Sequence, residues 1–168
     1  IFSQMVKENI EYVVMEVSSH ALSQQRVYGL EFKTAVFTNL TQDHLDFHKT
    51  MEEYRKAKSR LFEISQCGVI NIDTAQGLKI AAKCKCPFLS VGVHDADIMA
   101  SAIRLGEDFV EFTVEENEEK HIVKLGIPGR FSVYNALCAI GAARSLGISY
   151  EDISAGLSYV NTLRSYRG

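Results

Sequence analysis

Three short apolar runs constrain the fold of this chain more than any other feature of its sequence. They cover residues 12–17, 35–40 and 68–72 and are almost continuously hydrophobic. A strand with one face in water alternates apolar and polar residues, whereas a strand covered on both faces reads as an unbroken apolar run. The runs therefore predict buried strands of a mostly parallel sheet flanked by helices, which is an α/β fold.

The segments around these runs complete the predicted architecture. Residue spacing predicts helices over about 50–64 and 74–83 and a short strand at 88–91, in the alternating order that builds parallel sheets. From 97 to 127 the pattern changes to period two, with the acidic stretch 115–119 as a turn, which predicts a small antiparallel meander forming its own sub-sheet. Residues 131–160 are predicted to be a closing pair of helices, the first of which ends at Gly147.

Length and charge narrow the function classes. A chain of 168 residues with 46% hydrophobic residues predicts one globular domain. Because residues 104–119 hold seven acids and one base, the rest carries 17 bases and 14 acids, a net charge of +3. This weak positive charge permits a phosphate-bearing substrate but argues against nucleic-acid or membrane binding. No apolar run could span a bilayer, and four cysteines without a C-x-x-C pair favour reduced thiols, so we expect a cytoplasmic protein.

Polar side chains follow the first two apolar runs, where an α/β sheet places its ligands. The first run carries Glu16 near its end and leads into Ser18, Ser19 and His20. The second leads into residues 43–48, which contain Asp43, His44, Asp46 and His48. Carboxylates with one imidazole suit Mg²⁺ or Mn²⁺, and several imidazoles suit Zn²⁺. The alternative is that the two aspartates cap a turn and that His48 is a loop residue.

Two charged residues fall at positions that the pattern predicts to be buried. Glu16 lies in an apolar run, where a carboxylate must be paired, protonated or metal-bound; alternatively, it pairs with an arginine or caps a helix at the strand end. Lys58 lies on the apolar stripe of the predicted helix, which comprises Met51, Tyr54, Lys58, Leu61 and Phe62, whereas Lys56 and Arg60 lie off it. A lysine there either extends to the edge of the core or functions with its charge altered or paired.

Two common catalytic motifs are missing from the sequence. There is no G-x-x-x-x-G-K-[ST] loop to cradle phosphates and no G-x-S-x-G nucleophile elbow. Ser18, Ser19 and His20 are adjacent, so their side chains alternate between faces of a strand and make a poor hydrolase triad.

Four segments together resemble the central domain of the Mur ligase family. They are E-V-S-S-H-A-L-x-x-x-R-V at 16–27, F-T-N-L-T-x-D-H-L-D-x-H at 37–48, Y-x-x-A-K-x-x-L-F at 54–62 and G-R-F-x-x-Y-N-A-L-x-A-I at 129–140. The resemblance is strongest to members that add the third amino acid to UDP-N-acetylmuramoyl-L-alanyl-D-glutamate in peptidoglycan synthesis. It implies a P-loop-NTPase-like domain that uses ATP and Mg²⁺.

The resemblance also implies residue roles. It implies that Glu16 and His44 bind Mg²⁺ and that Lys58 is carbamylated and serves as a further metal ligand, so these three would be the catalytic residues. It implies that the UDP-muramoyl dipeptide is contacted by Ser18, Gln24 and Arg26, and that Asn135 lies near the nucleotide base. The family reaction makes an acyl phosphate on the D-glutamyl carboxylate, which the amino group of a diamino acid then displaces.

The family has an N-terminal domain for the UDP group and a C-terminal domain for the incoming amino acid. We expect residues 1–168 to be a partial central domain, lacking the phosphate loop and both neighbouring domains and inactive when isolated. Two alternatives stay open. One is another Mur or folylpolyglutamate synthetase-type ligase, against which Ser18-Ser19-His20 argues, and the other is a non-catalytic metal-binding or interaction module.

Overall fold

A mixed sheet runs through the part of the chain that the computed structural model describes, residues 1–39 and 50–165. Its strands are β1 (Phe32–Phe37), β2 (Ser65–Asn71), β3 (Phe88–Gly92), β4 (Ile98–Leu105), β5 (Val110–Glu116) and β6 (Glu119–Leu125). The helices are α1 (Phe2–Lys7), α2 (Ser19–Ser23), α3 (Met51–Glu63), α4 (Ala75–Ala81), α5 (Arg130–Ser145) and α6 (Tyr150–Ser165).

The described strands lie in the sheet in chain order, from β1 to β6. Strands β1 to β4 pair in parallel, with Val36 opposite Val69 and Val91 opposite Ile98. Strands β4, β5 and β6 pair antiparallel. The predicted mostly parallel α/β fold with an antiparallel meander is therefore confirmed, and the β3–β4 pairing joins the meander to the parallel strands in one continuous sheet.

Neighbouring residues of β2 show why the apolar runs are unbroken. Val69 packs in a cluster with Leu137 of α5, whereas Ile70 packs in another with Phe62 of α3 and Ile80 of α4. Successive side chains of a strand point to opposite faces, so α5 covers one face of the sheet while α3 and α4 cover the other. Both Val69 and Ile70 are fully buried.

Local signals at the ends of elements also match the predictions. The hydroxyl oxygen of Thr50 accepts a hydrogen bond from the Glu53 amide and caps α3, and Thr74 caps α4 in the same way through Gly77. The predicted acidic turn is the two-residue connection of the β5–β6 hairpin, where Asn117 and Glu118 both have positive φ. Such a turn matches the twist of the strands that it joins.

The predicted strand at 12–17 is wrong. Residues 10–18 belong to no helix or strand, and Tyr12, Val13 and Val14 are exposed, Val14 completely. A strand needs a neighbouring backbone for its hydrogen bonds, and none of the described residues pairs with this segment. Only Val17 at its end is buried, in a small cluster with Leu22 and Val27.

Candidate functional site

The candidate site is built around Lys58 on α3. Its ammonium group donates a hydrogen bond to the carbonyl oxygen of Val17 over 3.3 Å. Burial lowers the pKa of Lys58, and the nearby negative charge of Glu16 opposes that shift in part. The structure therefore places Glu16 and Lys58 close enough to interact electrostatically, although they are 42 positions apart in sequence.

Glu16 does not occupy the buried position that the sequence predicts. Its side chain is exposed, because the segment that carries it is not part of the sheet. The predicted burial of Glu16 is therefore wrong, and an exposed carboxylate does not require a buried partner. Lys58, in contrast, is half-buried among the residues of the predicted stripe, with Tyr54 and Phe62 buried beside it, and Lys56 and Arg60 are exposed as expected.

The three predicted substrate residues flank α2, a short helix that the sequence pattern does not predict. Ser18 caps α2 by accepting a hydrogen bond from the Ala21 amide over 3.1 Å, and Gln24 ends the helix. Ser18, Gln24 and Arg26 are all exposed. Because Val17 and Leu22 pack toward Leu61 of α3, the three polar residues are held on the side of the domain where Lys58 lies.

Asn135 lies in a different part of the domain. It is exposed on α5, which covers the face of the sheet opposite to α3, and it lines a cavity of about 150 Å³ together with Phe131, Leu125, Ile127 and Leu157. The cavity is mainly apolar, with one amide at its wall. Such a surface suits a flat, weakly polar ring.

His44 and the neighbouring Asp43, Asp46 and His48 lie outside the described residues. Within residues 1–39 and 50–165, no three His, Cys, Asp or Glu side chains converge as a metal site would require. Among the predicted metal ligands within the described residues, Glu16 offers an exposed carboxylate, which is a ligand that Mg²⁺ accepts. A carboxylate group added to Lys58 would supply a second oxygen ligand nearby, so the chemistry of these two residues fits Mg²⁺ once Lys58 is carbamylated.

Asn71, the last residue of β2, and Asp73, which follows β2, form a polar cluster that the sequence motifs do not predict. The Asn71 amide donates to the carbonyl oxygen of Thr38 over 3.0 Å, which ties the end of β2 to the end of β1. The Asp73 carboxylate accepts from the Val93 amide over 2.7 Å. Burial and, to a lesser extent, the Asp73 carboxylate raise the pKa of Tyr134 on α5. Asn71 lies near the end of the third apolar run and Asp73 follows it, so the rule that pointed to the ends of the first two runs could have found both.

Comparison with known proteins identifies the protein family to which this chain belongs. A family model described as the Mur ligase middle domain matches residues 1–143. The chain therefore belongs to the Mur ligase family, as the sequence motifs predict. Among the described residues, none of the helices combines the length and the apolar character that a bilayer span requires.

Two curated relatives carry the same name, UDP-N-acetylmuramoyl-L-alanyl-D-glutamate–2,6-diaminopimelate ligase. The protein from Caldanaerobacter subterraneus subsp. tengcongensis is 48% identical over 162 residues, covering 95% of this chain and 34% of the relative. The protein from Clostridium botulinum is 46% identical over 158 residues, covering 94% of this chain and 33% of the relative.

A solved structure of a ligase with that name superimposes with a TM-score of 0.75 at 29% identity, covering 88% of this chain and 31% of the other. The chain thus spans about a third of the length of the curated relatives that it matches.

Proposed function

We propose that this chain is the central domain of an ATP-dependent ligase that joins 2,6-diaminopimelate to UDP-N-acetylmuramoyl-L-alanyl-D-glutamate. Membership of the Mur ligase family and the names of the two relatives support the reaction and the choice of amino acid. The observation that carries the proposal is the half-buried amine of Lys58 beside the carboxylate of Glu16.

The environment of Lys58 favours carbamylation. Only the neutral amine attacks carbon dioxide, and burial lowers the pKa of Lys58, which increases the neutral fraction at a given pH. The attack forms a bond between Nζ and the carbon of CO₂ and releases the second amine proton to water. The side chain changes from a cation to an anion and keeps its place on α3.

The modified lysine alters the charge balance of the site. Glu16 and a carbamate on Lys58 are two negative groups in proximity. They repel each other, and a cation bound between them would remove the repulsion. We propose that these residues, together with His44, hold Mg²⁺. When bound, the ion would neutralise negative charge on the ATP phosphates and on the substrate carboxylate.

The residues that flank α2 are proposed to hold the UDP-muramoyl dipeptide. Because the Ser18 oxygen already accepts from Ala21, its hydroxyl hydrogen remains available to donate to a substrate oxygen. The exposed guanidinium of Arg26 can donate two parallel hydrogen bonds to a carboxylate or phosphate, and the Gln24 amide can donate or accept.

Once the two substrates and ATP are held in place by these residues, the proposed reaction has two steps. A D-glutamyl carboxylate oxygen attacks the γ-phosphorus of ATP, and ADP leaves to give an acyl phosphate. The amine of diaminopimelate attacks the acyl carbon, loses a proton and expels inorganic phosphate, which leaves the new amide bond. We propose that Asn135 and its apolar cavity receive the base of the nucleotide, so that ATP reaches the substrate from the α5 side.

The test of the Lys58 chemistry uses the 168-residue chain in ¹³C-bicarbonate buffer. We expect a carbamate signal in the ¹³C NMR spectrum that disappears in Lys58→Ala and persists in Lys56→Ala, an exposed lysine two residues away on the same helix. A signal that survives in Lys58→Ala, or none in the unchanged chain near pH 8, would contradict the proposal.

The test of the ligase reaction uses the complete reading frame that contains this domain. Phosphate release should require the UDP-muramoyl dipeptide, ATP and diaminopimelate together, and Lys58→Ala should reduce kcat by at least ~100-fold, since removal of one group acting on transition-state charge has effects of this size. Replacement of diaminopimelate by L-lysine with equal kcat/KM would refute the choice of amino acid.

A further inference from the structure

A groove between α3 and α4 carries an excess of positive charge that the proposed ligase reaction does not use. Its volume is about 320 Å³, within the range of small-molecule sites. We call it the basic groove, and define it by the cations that line it: Arg55, Lys56, Arg60, Lys83 and Lys85. Two carboxylates, Glu52 and Glu63, also line it, so the cations outnumber the anions.

The basic groove lies away from the candidate site. Its α3 residues recur at intervals of three and four from 52 to 63, which places them on one stripe of the helix. Lys58 lies outside this stripe. Lys83 and Lys85 follow the end of α4 and precede β3, so they lie toward the amino ends of the strands, opposite the carboxyl ends where Asn71 and Thr38 meet.

Arg55 is the residue that points to a ligand. Its side chain is only 11% exposed, yet its one ion pair within the described residues is a 3.4 Å contact with Glu52, which is 77% exposed. A guanidinium has five N–H donors, and the long contact with Glu52 is the one hydrogen bond that the described residues offer this largely buried charge. Lys56, Arg60, Lys83 and Lys85 have no carboxylate within 4.0 Å among the described residues, so these four cations form no ion pair there.

We propose that the basic groove binds a small phosphorylated molecule that carries at least two negative charges. Phosphate oxygens would accept from the Arg55 guanidinium at the floor, and the lysines at the rim would neutralise the remaining charge. Phe62 and Ile80 contribute an apolar wall that could cover the carbon-containing part of the ligand. The proposal does not depend on the ligase reaction, because it involves none of the residues assigned to it.

Pyrophosphate is the probe, titrated into the 168-residue chain by calorimetry in metal-free buffer of low ionic strength. We expect saturable binding of one equivalent, weakened about tenfold or more by Arg55→Gln, the loss expected when a charge-assisted hydrogen bond is removed. Lys83→Gln should also weaken binding. Lys83 is exposed, so this variant is expected to fold normally if Arg55→Gln does not.

Lys79→Gln is the matched control, because Lys79 is an exposed lysine of α4 that does not line the groove. It should change the affinity by less than about twofold, since exposed charges away from the ligand are screened. Equal weakening by Lys79→Gln and Lys83→Gln, or affinity unaffected by both Arg55→Gln and Lys83→Gln, would overturn the proposal, as would the absence of saturable binding.

ADP distinguishes the possible sources of the diphosphate. ADP binding that weakens in Arg55→Gln and is unchanged in Asn135→Ala would identify the ligand of the groove as a nucleotide. Pyrophosphate binding that depends on Arg55, with no Arg55-dependent ADP binding, would identify a free diphosphate. Binding of both probes that depends only on Asn135 would place the anion at the nucleotide cavity and refute the groove.

Discussion

The ammonium group of Lys58 donates a 3.3 Å hydrogen bond to the carbonyl oxygen of Val17, and this contact ties the middle of α3 to the segment that precedes α2. Glu16 is the residue that precedes Val17, so its carboxylate is held near the same amine. One hydrogen bond thus fixes the relation between the two charged residues on which the proposed chemistry depends.

The lowered pKa of Lys58 predicts how its contribution to stability varies with pH. Its ordinary value is 10.5, and burial holds the folded value below it. Between the two values the unfolded chain binds more protons than the folded chain, so stability rises with pH in that window. The contribution is complete above pH 10.5 and is lost as pH falls through the lowered folded value.

Lys58→Met removes the pH-dependent contribution of Lys58 to stability and keeps a side chain of similar length. In CO₂-free buffer we expect Lys58→Met to be at least as stable as the unchanged chain at pH 7, with the difference shrinking as pH rises toward 10. Urea unfolding at a series of pH values measures this, and Lys56→Met serves as the exposed control. A difference that grows with pH would mean that the pKa is raised rather than lowered.

Two glycines in helices predict opposite responses to alanine. A Cβ atom at Gly77 would overlap the carbonyl oxygen of Asn71, because the first turn of α4 lies directly on the end of β2. We expect Gly77→Ala to lower the free energy of unfolding by about 2–4 kcal/mol. At Gly156 of α6 nothing lies within 4 Å of the added Cβ, so Gly156→Ala should raise it by about 1 kcal/mol.

Thermal and urea unfolding of the two alanine variants provide the measurement. Similar stability of both variants would show that α4 does not pack against the Asn71 carbonyl as described.

The hairpin between β5 and β6 predicts a stabilising substitution. Glu118 has φ of +70°, a left-handed conformation that glycine adopts without steric cost. A glycine at position 118 would follow Asn117 and give the Asn-Gly sequence that such two-residue turns favour. We expect Glu118→Gly to raise the free energy of unfolding by about 0.5–1 kcal/mol, after allowance for the greater freedom of glycine in the unfolded chain.

Glu118→Gln controls for the loss of negative charge in that acidic turn, since it keeps the strained backbone. If Glu118→Gln stabilises the chain as much as Glu118→Gly, charge repulsion and not backbone strain is the cause.

Several features of the fold could be predicted because their causes are local. The unbroken run through Val69 and Ile70 indicates burial on both faces, and the structure places α5 on one face and α3 with α4 on the other. The hydroxyls of Thr50 and Thr74 cap the helices that the apolar spacing predicts. Chain neighbours determine these features, so a short stretch of sequence is sufficient.

The candidate site was only partly predictable. The helical stripe places Lys58 among core residues, and the structure confirms that it is half-buried. The roles of Glu16, Ser18, Gln24, Arg26, His44 and Asn135 rest on resemblance and stay predictions. Asp73 was overlooked although it follows a buried strand, in the same relation to the sheet as the residues after the first two runs.

The sequence by itself determined the alternation of strands and helices, the faces that they bury and the family to which the chain belongs. Tertiary structure decided that residues 12–17 form no strand, that Glu16 is exposed and approaches Lys58, and that the charged stripe of α3 meets Lys83 and Lys85 across a groove. The physical reason is the distance along the chain over which each interaction acts. Periodicity and caps act between residues a few positions apart, whereas strand pairing and the meeting of charges depend on segments that only folding brings together.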